Sequence, residues 1–293
     1  LEDIQWYYSG IDAEFLLPIR RNDEIVATAE YVDVKPLQGK RVKNMLVQTG
    51  EVRYTNQKGE LTTRVLSHTY RVPRSGAEGG LDYAPRPKQE YTQAQLDEIM
   101  NAQLNEFVRG AKTLYWDDVT VGESLPGTVR GPINQMDMTT YYAGAPGTSG
   151  YKSTKLKWKY THWARTSPEK LPNNYDKCYY GAKVLPSIGH QDEAVAVKQL
   201  GMPGPYDNGP QRCGMLATCV TNWMGDDGWL RSYSTRIKLP VIFGDTTYCK
   251  GRVSGKRMDG GRGIVELELW TENQLGQVTM RGTGTVELPL RSA

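Results

Sequence analysis

Three histidines stand in this chain of 293 residues, at positions 68, 162 and 190. Histidine ionises near neutral pH and can take or give a proton at working pH. His190 has the most promising surroundings, Gly189-His190-Gln191-Asp192 at the start of a helix predicted to run to Leu200. The other two suit surface or packing roles: His68 lies in a predicted strand and His162 in a basic, aromatic stretch over 155–163. Two carboxylates are candidate partners for His190. Asp192 follows it by two positions, which on a helix puts the two side chains on different faces unless His190 precedes the first turn. Asp207 belongs to Tyr206-Asp207-Asn208-Gly209, which also reads as a plain turn. Gly209 precedes a helix predicted over Gln211–Trp223, where free N–H groups could hold an oxygen that gathers negative charge. The cysteines, Cys178, Cys213, Cys219 and Cys249, have no C-x-x-C spacing and read as reduced thiols, so no metal site is predicted.

The elements that position these residues come from a repeat. Trp6, Pro18 and Asp23 near the start answer to Trp229, Pro240 and Asp245 near the end. The proline and aspartate pairs lie 222 residues apart (240−18, 245−23) and the tryptophan pair 223 (229−6). Asn56 and Gly59 answer to Asn273 and Gly276, and Pro73 to Pro289, with a drift that short loop changes explain. Two copies of one β-rich unit follow. The first copy reads as four strands, Ala13–Ile19, Asp23–Val34, Val42–Tyr54 and Glu60–Val72, in an antiparallel meander with a hairpin at Asn56-Gln57-Lys58-Gly59. The second repeats it over Leu230–Leu239, Thr246–Lys256, Gly263–Glu272 and Gln277–Leu288. A linker is expected over 74–90. A helix follows over Gln95–Gly110, with Thr92 as N-cap. The second copy, opening near Trp116, adds helices at Asn134–Tyr142, at His190–Leu200 and at Gln211–Trp223. Three parts result: residues 1–73 as the later strands of a first unit, 74–114 as linker and helix, and 115–293 as a complete second unit. The first copy has only five residues before Trp6. A preceding segment of about one hundred residues, one unit's worth, is expected in the intact protein, covering an otherwise bare apolar sheet face.

Composition narrows the function classes. Charged residues make up 24% and hydrophobic residues 38%, as in ordinary soluble domains. The net charge of +3, without long runs of Lys or Arg, argues against a nucleic-acid partner. No apolar run reaches the ~20 residues of a membrane helix, and no secretory leader opens the chain; a cytoplasmic location is expected. Tyr (18) and Trp (7) outnumber Phe (3), which suits half-exposed sheet faces or an amphipathic groove.

Two antiparallel units, the second carrying helices, resemble the double hot-dog fold of MaoC-like acyl-CoA dehydratases and hydratases, an α+β class. Residues Trp116-Asp117-Asp118-Val119-Thr120-Val121-Gly122-Glu123 are similar to the start of such a unit. The segments Gly189-His190-Gln191-Asp192, Gly201-Met202-Pro203-Gly204, Tyr206-Asp207-Asn208-Gly209-Pro210 and Leu239-Pro240-Val241-Ile242-Phe243-Gly244-Asp245-Thr246 carry the likeness further. The resemblance implies two sheets each wrapping a helix, an oligomer of like or unlike chains, and an acyl-CoA substrate with no cofactor beyond the coenzyme A it brings. It implies hydration of a 2-enoyl-CoA, or dehydration of a 3-hydroxyacyl-CoA, with His190, Asp192 and Asp207 as catalytic candidates and Gly209 and Tyr206 at the thioester. One departure stands out. The family's motif places an Asp five residues before the His, and here Leu185 occupies that place and Ser187 that of the motif's Asn. A non-catalytic acyl-CoA-binding or scaffolding subunit is therefore the alternative. A thioesterase using Asp192 or Glu193 is a distant third.

Overall fold

In the computed structural model, residues 4–38, 42, 44–73, 83, 86–144, 153–168, 178–179, 182–183, 186–198 and 200–291 are described. The first unit has four strands: β1 (Ile4–Phe15), β2 (Val26–Leu37), β3 (Met45–Thr55) and β4 (Leu61–Pro73). Next come α1 (Gln93–Leu104), β5 (Thr128–Arg130), α2 (Gln135–Gly144), α3 (Ser153–Thr166) and a two-strand ladder of β6 (Cys178–Tyr179) with β7 (Ala182–Lys183). After α4 (Glu193–Lys198) and α5 (Gly209–Met224), the chain ends in β8 (Trp229–Ile237), β9 (Thr247–Asp259), β10 (Arg262–Asn273) and β11 (Val278–Leu288).

The repeat is structural down to its hydrogen bonds. The Asp23 carboxylate accepts from the Arg20 N–H at 2.7 Å and from Gln57 Nε2 at 3.1 Å. The Asp245 carboxylate accepts from the Ile242 N–H at 2.9 Å and from Gln274 Nε2 at 2.7 Å. Asn56 Oδ1 accepts from the N–H of Lys58 and of Glu60, and Asn273 Oδ1 from those of Leu275 and Gln277. In both units an Asn closes the hairpin and an Asp ties that hairpin to the loop before the second strand.

The connectivity differs from a plain meander. Strands β2, β3 and β4 follow one another, but β1 pairs with β4; likewise β8 pairs with β11 rather than with β9. The two sheets are also continuous. Strands β1 and β8 pair antiparallel, Ala13 opposite Tyr233 and Gly10 opposite Arg236, giving one nine-stranded sheet in the order β2-β3-β4-β1-β8-β11-β10-β9-β5. Gly10 makes the seam close: with φ +145°, any Cβ there would collide with the Thr235 carbonyl oxygen. Across the seam, Arg236 and Ser234 donate to the Asp12 carboxylate, and His68 Nε2 lies 2.8 Å from it.

Helix α5 is the core of the second unit. Its buried side chains, Cys213, Leu216, Cys219, Val220 and Trp223, form one stripe that packs under β1, β8, β9 and β10. Outward from β1 the first unit is barer: Tyr31 is 75% and Val34 56% exposed. Helix α1 keeps its expected Thr92 N-cap, which forms a capping box with Gln95, but ends at Leu104 with Asn105 as C-cap, short of Gly110. The segment expected as a helix from His190 is a 3-10 turn over Pro186–His190 followed by α4. Most of the linker expected over 74–90 lies outside the described residues.

Candidate active site

The site is assembled where the loop before α5 crosses the loop before β9. The Asp207 N–H donates to the Val241 carbonyl and the Phe243 N–H to the Pro205 carbonyl, both at 2.9 Å. Tyr206 and Ile242 form a bridge. The motif around Pro240 to Asp245 thus holds the segment that leads into α5.

His190 is fastened to that segment. Its Nδ1 lies 3.0 Å from the Tyr206 carbonyl oxygen. A carbonyl can only accept, so Nδ1 carries the proton and Nε2 presents a lone pair. The Tyr206 ring packs on the imidazole with centroids 4.2 Å apart, and the Tyr142 ring meets it edge-on at 6.0 Å. Burial pushes the His190 pKa below its ordinary value, against the opposing pull of the Tyr206 carbonyl and the Asp207 charge. A neutral imidazole with a fixed tautomer is a base ready to accept a proton.

The two candidate carboxylates are engaged elsewhere. Asp207 is 3% and Arg212 2% exposed. Arg212 Nε donates to Asp207 Oδ2 at 2.6 Å, and its Nη2 donates to Asp207 Oδ1. The Nη1 of Arg212 donates to the carbonyls of Leu239 and Thr279. Both oxygens of Asp207 therefore serve a buried fork that pins the start of α5 to the sheet. Asp192 Oδ1 accepts from the Val195 N–H at 2.8 Å and caps α4. Leu185, in the place of the family carboxylate, lies outside the described residues.

Gly209 begins α5 itself, two residues earlier than the sequence suggested. A Cβ there would stand 2.5 Å from Tyr8 Cδ1 and 2.9 Å from Ile237 Cδ1, so the absent side chain lets α5 press against β1 and β8. The preceding N-cap residue, Asn208, makes no side-chain hydrogen bond to its own helix. With Pro210 lacking an N–H, the amides of Gly209 and Gln211 are the first-turn donors at the positive end of the helix dipole.

Sequence reasoning passed over Tyr142 and Arg212. Asn208 Nδ2 donates to the Tyr142 hydroxyl at 3.2 Å, which puts that hydroxyl at the mouth of α5. No spacing rule marks it. Arg212 did leave a signal, a charge at the head of the apolar stripe of α5, which demands a buried partner.

Three of the four basic residues of β9 are matched by acids, Lys250 with Glu272, Arg252 with Glu268, and Arg257 with Asp259 and Glu266, while Lys256 Nζ donates to the Val119 carbonyl. Burial raises the Cys219 thiol to about 12 and the Cys249 thiol to about 11, so both stay protonated. Among the described residues no three His, Cys, Asp or Glu side chains converge as metal ligands, and no helix is long and apolar enough to cross a membrane.

A nine-stranded sheet built from two like units, the second closed around a long helix, defines the double hot-dog fold. Solved structures of similar shape bear this out. One described as a MaoC-like dehydratase superposes with a TM-score of 0.62 at 18% identity, over 97% of this chain and 76% of the other. A MaoC-domain dehydratase protein from Chloroflexus aurantiacus gives 0.52 at 14% identity, with the same coverage. A Mycobacterium tuberculosis protein described as having a double hot-dog fold gives 0.50 at 12%, over 96% of this chain and 74% of the other. No family model and no curated protein matches the sequence. At these identities the likeness is one of fold.

Proposed function

We propose that this chain is a hydratase that adds water to the double bond of a 2-enoyl-CoA thioester, and removes it in the reverse direction. One observation carries the reading: a neutral His190 whose Nδ1 is bound to the Tyr206 carbonyl, on the segment that runs directly into the uncapped start of α5. A base and a cluster of N–H donors are thereby joined through consecutive residues. His190 Nε2 takes a proton from water as the oxygen bonds to C3, and the π electrons move toward the thioester oxygen. Donors at the α5 start hold that oxygen. The imidazolium then returns its proton to C2, so one group serves as base and acid. The dehydratase descriptions of proteins with this fold support the same reaction class.

A specific observation favours a second reading. Asp207 and Asp192 are both engaged in structural hydrogen bonds, so neither of these two candidates is a free carboxylate that would share the proton work. A subunit that binds acyl-CoA while another chain supplies chemistry has the same appearance. A panel of enoyl-CoA thioesters separates the two, followed by the loss of conjugated-thioester absorbance beside calorimetric binding. Turnover by the purified chain supports the hydratase; binding without turnover supports the subunit.

A further inference from the structure

Tyr142 has no place among the three candidate catalytic groups, yet α2 delivers it to the site under constraint at both ends. At the N-terminal end, Gln135 Nε2 donates to Gln191 Oε1 at 2.9 Å, next to His190. Asn134 and Asp137 form the helix start there: Asn134 Oδ1 accepts from the Met136 N–H and Asp137 Oδ2 from the Asn134 N–H. Met138 is wholly buried and anchors the middle. At the C-terminal end the Tyr142 ring meets the His190 imidazole edge-on, and its hydroxyl accepts from Asn208 Nδ2. That bond is informative because Asn is among the best N-caps, and here it forgoes capping α5 in order to hold a tyrosine. A hydroxyl that accepts one hydrogen bond still has its own proton to donate.

We propose that Tyr142 is a further donor for the thioester oxygen, beside the N–H groups at the α5 start: its O–H, aimed by Asn208, binds the carbonyl oxygen of the acyl-CoA and stabilises the charge that gathers there during proton transfer by His190. The proposal rests on the hydratase reading and names a further catalytic residue within it. With the oxyanion held by a neutral donor, His190 takes the proton from water and returns it to C2 without a second acid. Tyr142 keeps its own proton throughout, so no charge is left on the site at the end of the cycle. Burial raises the Tyr142 pKa, only partly countered by Asn208, and so keeps it a donor across the working range.

The test compares wild type, Tyr142→Phe and Asn208→Ala, with crotonyl-CoA for kinetics and a longer conjugated thioester, cinnamoyl-CoA, as an absorbance probe. A hydrogen bond to the thioester oxygen polarises the conjugated system and moves its absorbance to the red. Tyr142→Phe is expected to lower kcat roughly 10²- to 10³-fold with little change in KM, the scale for losing one oxyanion donor. It should strongly reduce the red shift while circular dichroism and the urea midpoint stay close to wild type. Asn208→Ala, which leaves the hydroxyl present but unaimed, should give a smaller loss of kcat and a weaker shift. Wild-type turnover with an unchanged kcat or red shift in Tyr142→Phe overturns the assignment of Tyr142 and leaves the hydratase reading standing. No turnover and no red shift in the wild-type chain overturns both.

Discussion

The Asp207–Arg212 pair shows how one residue's burial decides another's role. An arginine 2% exposed is tolerable only when its guanidinium is paired, and Asp207 with two carbonyls engages each of its three nitrogens. The same carboxylate, read from sequence as a catalytic candidate, is thereby committed to structure and reaches His190 as a nearby charge. Arg212→Met would leave Asp207 buried without a counter-charge, and a loss of about 3–5 kcal/mol in unfolding free energy is expected. Urea denaturation measures it, and Asp207→Asn combined with Arg212→Met should recover most of the loss. A single variant as stable as wild type would mean that the pair does not hold the start of α5. His190 and Gly209 were visible as residue types in suggestive places. Tyr142 was not, because its position depends on α2 folding back over a loop more than sixty residues later in the chain.

Helix α5 is where element and site meet. The helix was legible over Gln211–Trp223, and its buried stripe of Cys213, Leu216, Cys219, Val220 and Trp223 follows the helical spacing of apolar residues. Its first residue was not: Gly209 and Pro210 read as a turn, yet Pro suits the first helical turn and Gly209 is required by the closeness of Tyr8 and Ile237. Gly209→Ala is expected to cost about 1–3 kcal/mol through overpacking, and to shift the Tyr8 environment seen by NMR. An unchanged urea midpoint would show that β1 yields easily and that the helix is not pressed against it. Helix α3 was not legible because Ser153–Thr166 is polar overall, its three lysines masking the helical spacing of Leu156, Tyr160 and Trp163. The helix expected over His190–Leu200 starts only at Glu193, because His190 closes a 3-10 turn while the apolar spacing of Ala194, Val195 and Val197 marks the helix alone.

At the scale of the molecule, the repeat was legible because Pro, Asp, Asn and Gly recur at hairpins and loops where geometry demands them. The joining of the units was not legible, because strand pairing between β1 and β8 spans more than two hundred residues and no local pattern encodes it. That seam has an acid-sensitive tie. Burial would raise the Asp12 pKa, but hydrogen bonds from Arg236, Ser234 and His68 more than offset this and hold it well below the usual carboxylate range. The folded state therefore favours the ionised form. Its contribution is complete above the ordinary Asp value of about 4 and is lost as pH falls from there through the lowered folded value. The urea midpoint of wild type should accordingly drop more between pH 7 and pH 3 than that of Asp12→Asn. Equal drops would mean that the seam does not depend on this carboxylate. The central claim is that His190 is the base of a hydratase, and the most direct test is the rate of crotonyl-CoA absorbance loss for wild type and His190→Ala at matched folding. Turnover by wild type, reduced roughly 10²- to 10⁴-fold in the variant with acyl-CoA binding retained, is the expected result. Equal rates in the two proteins would contradict it.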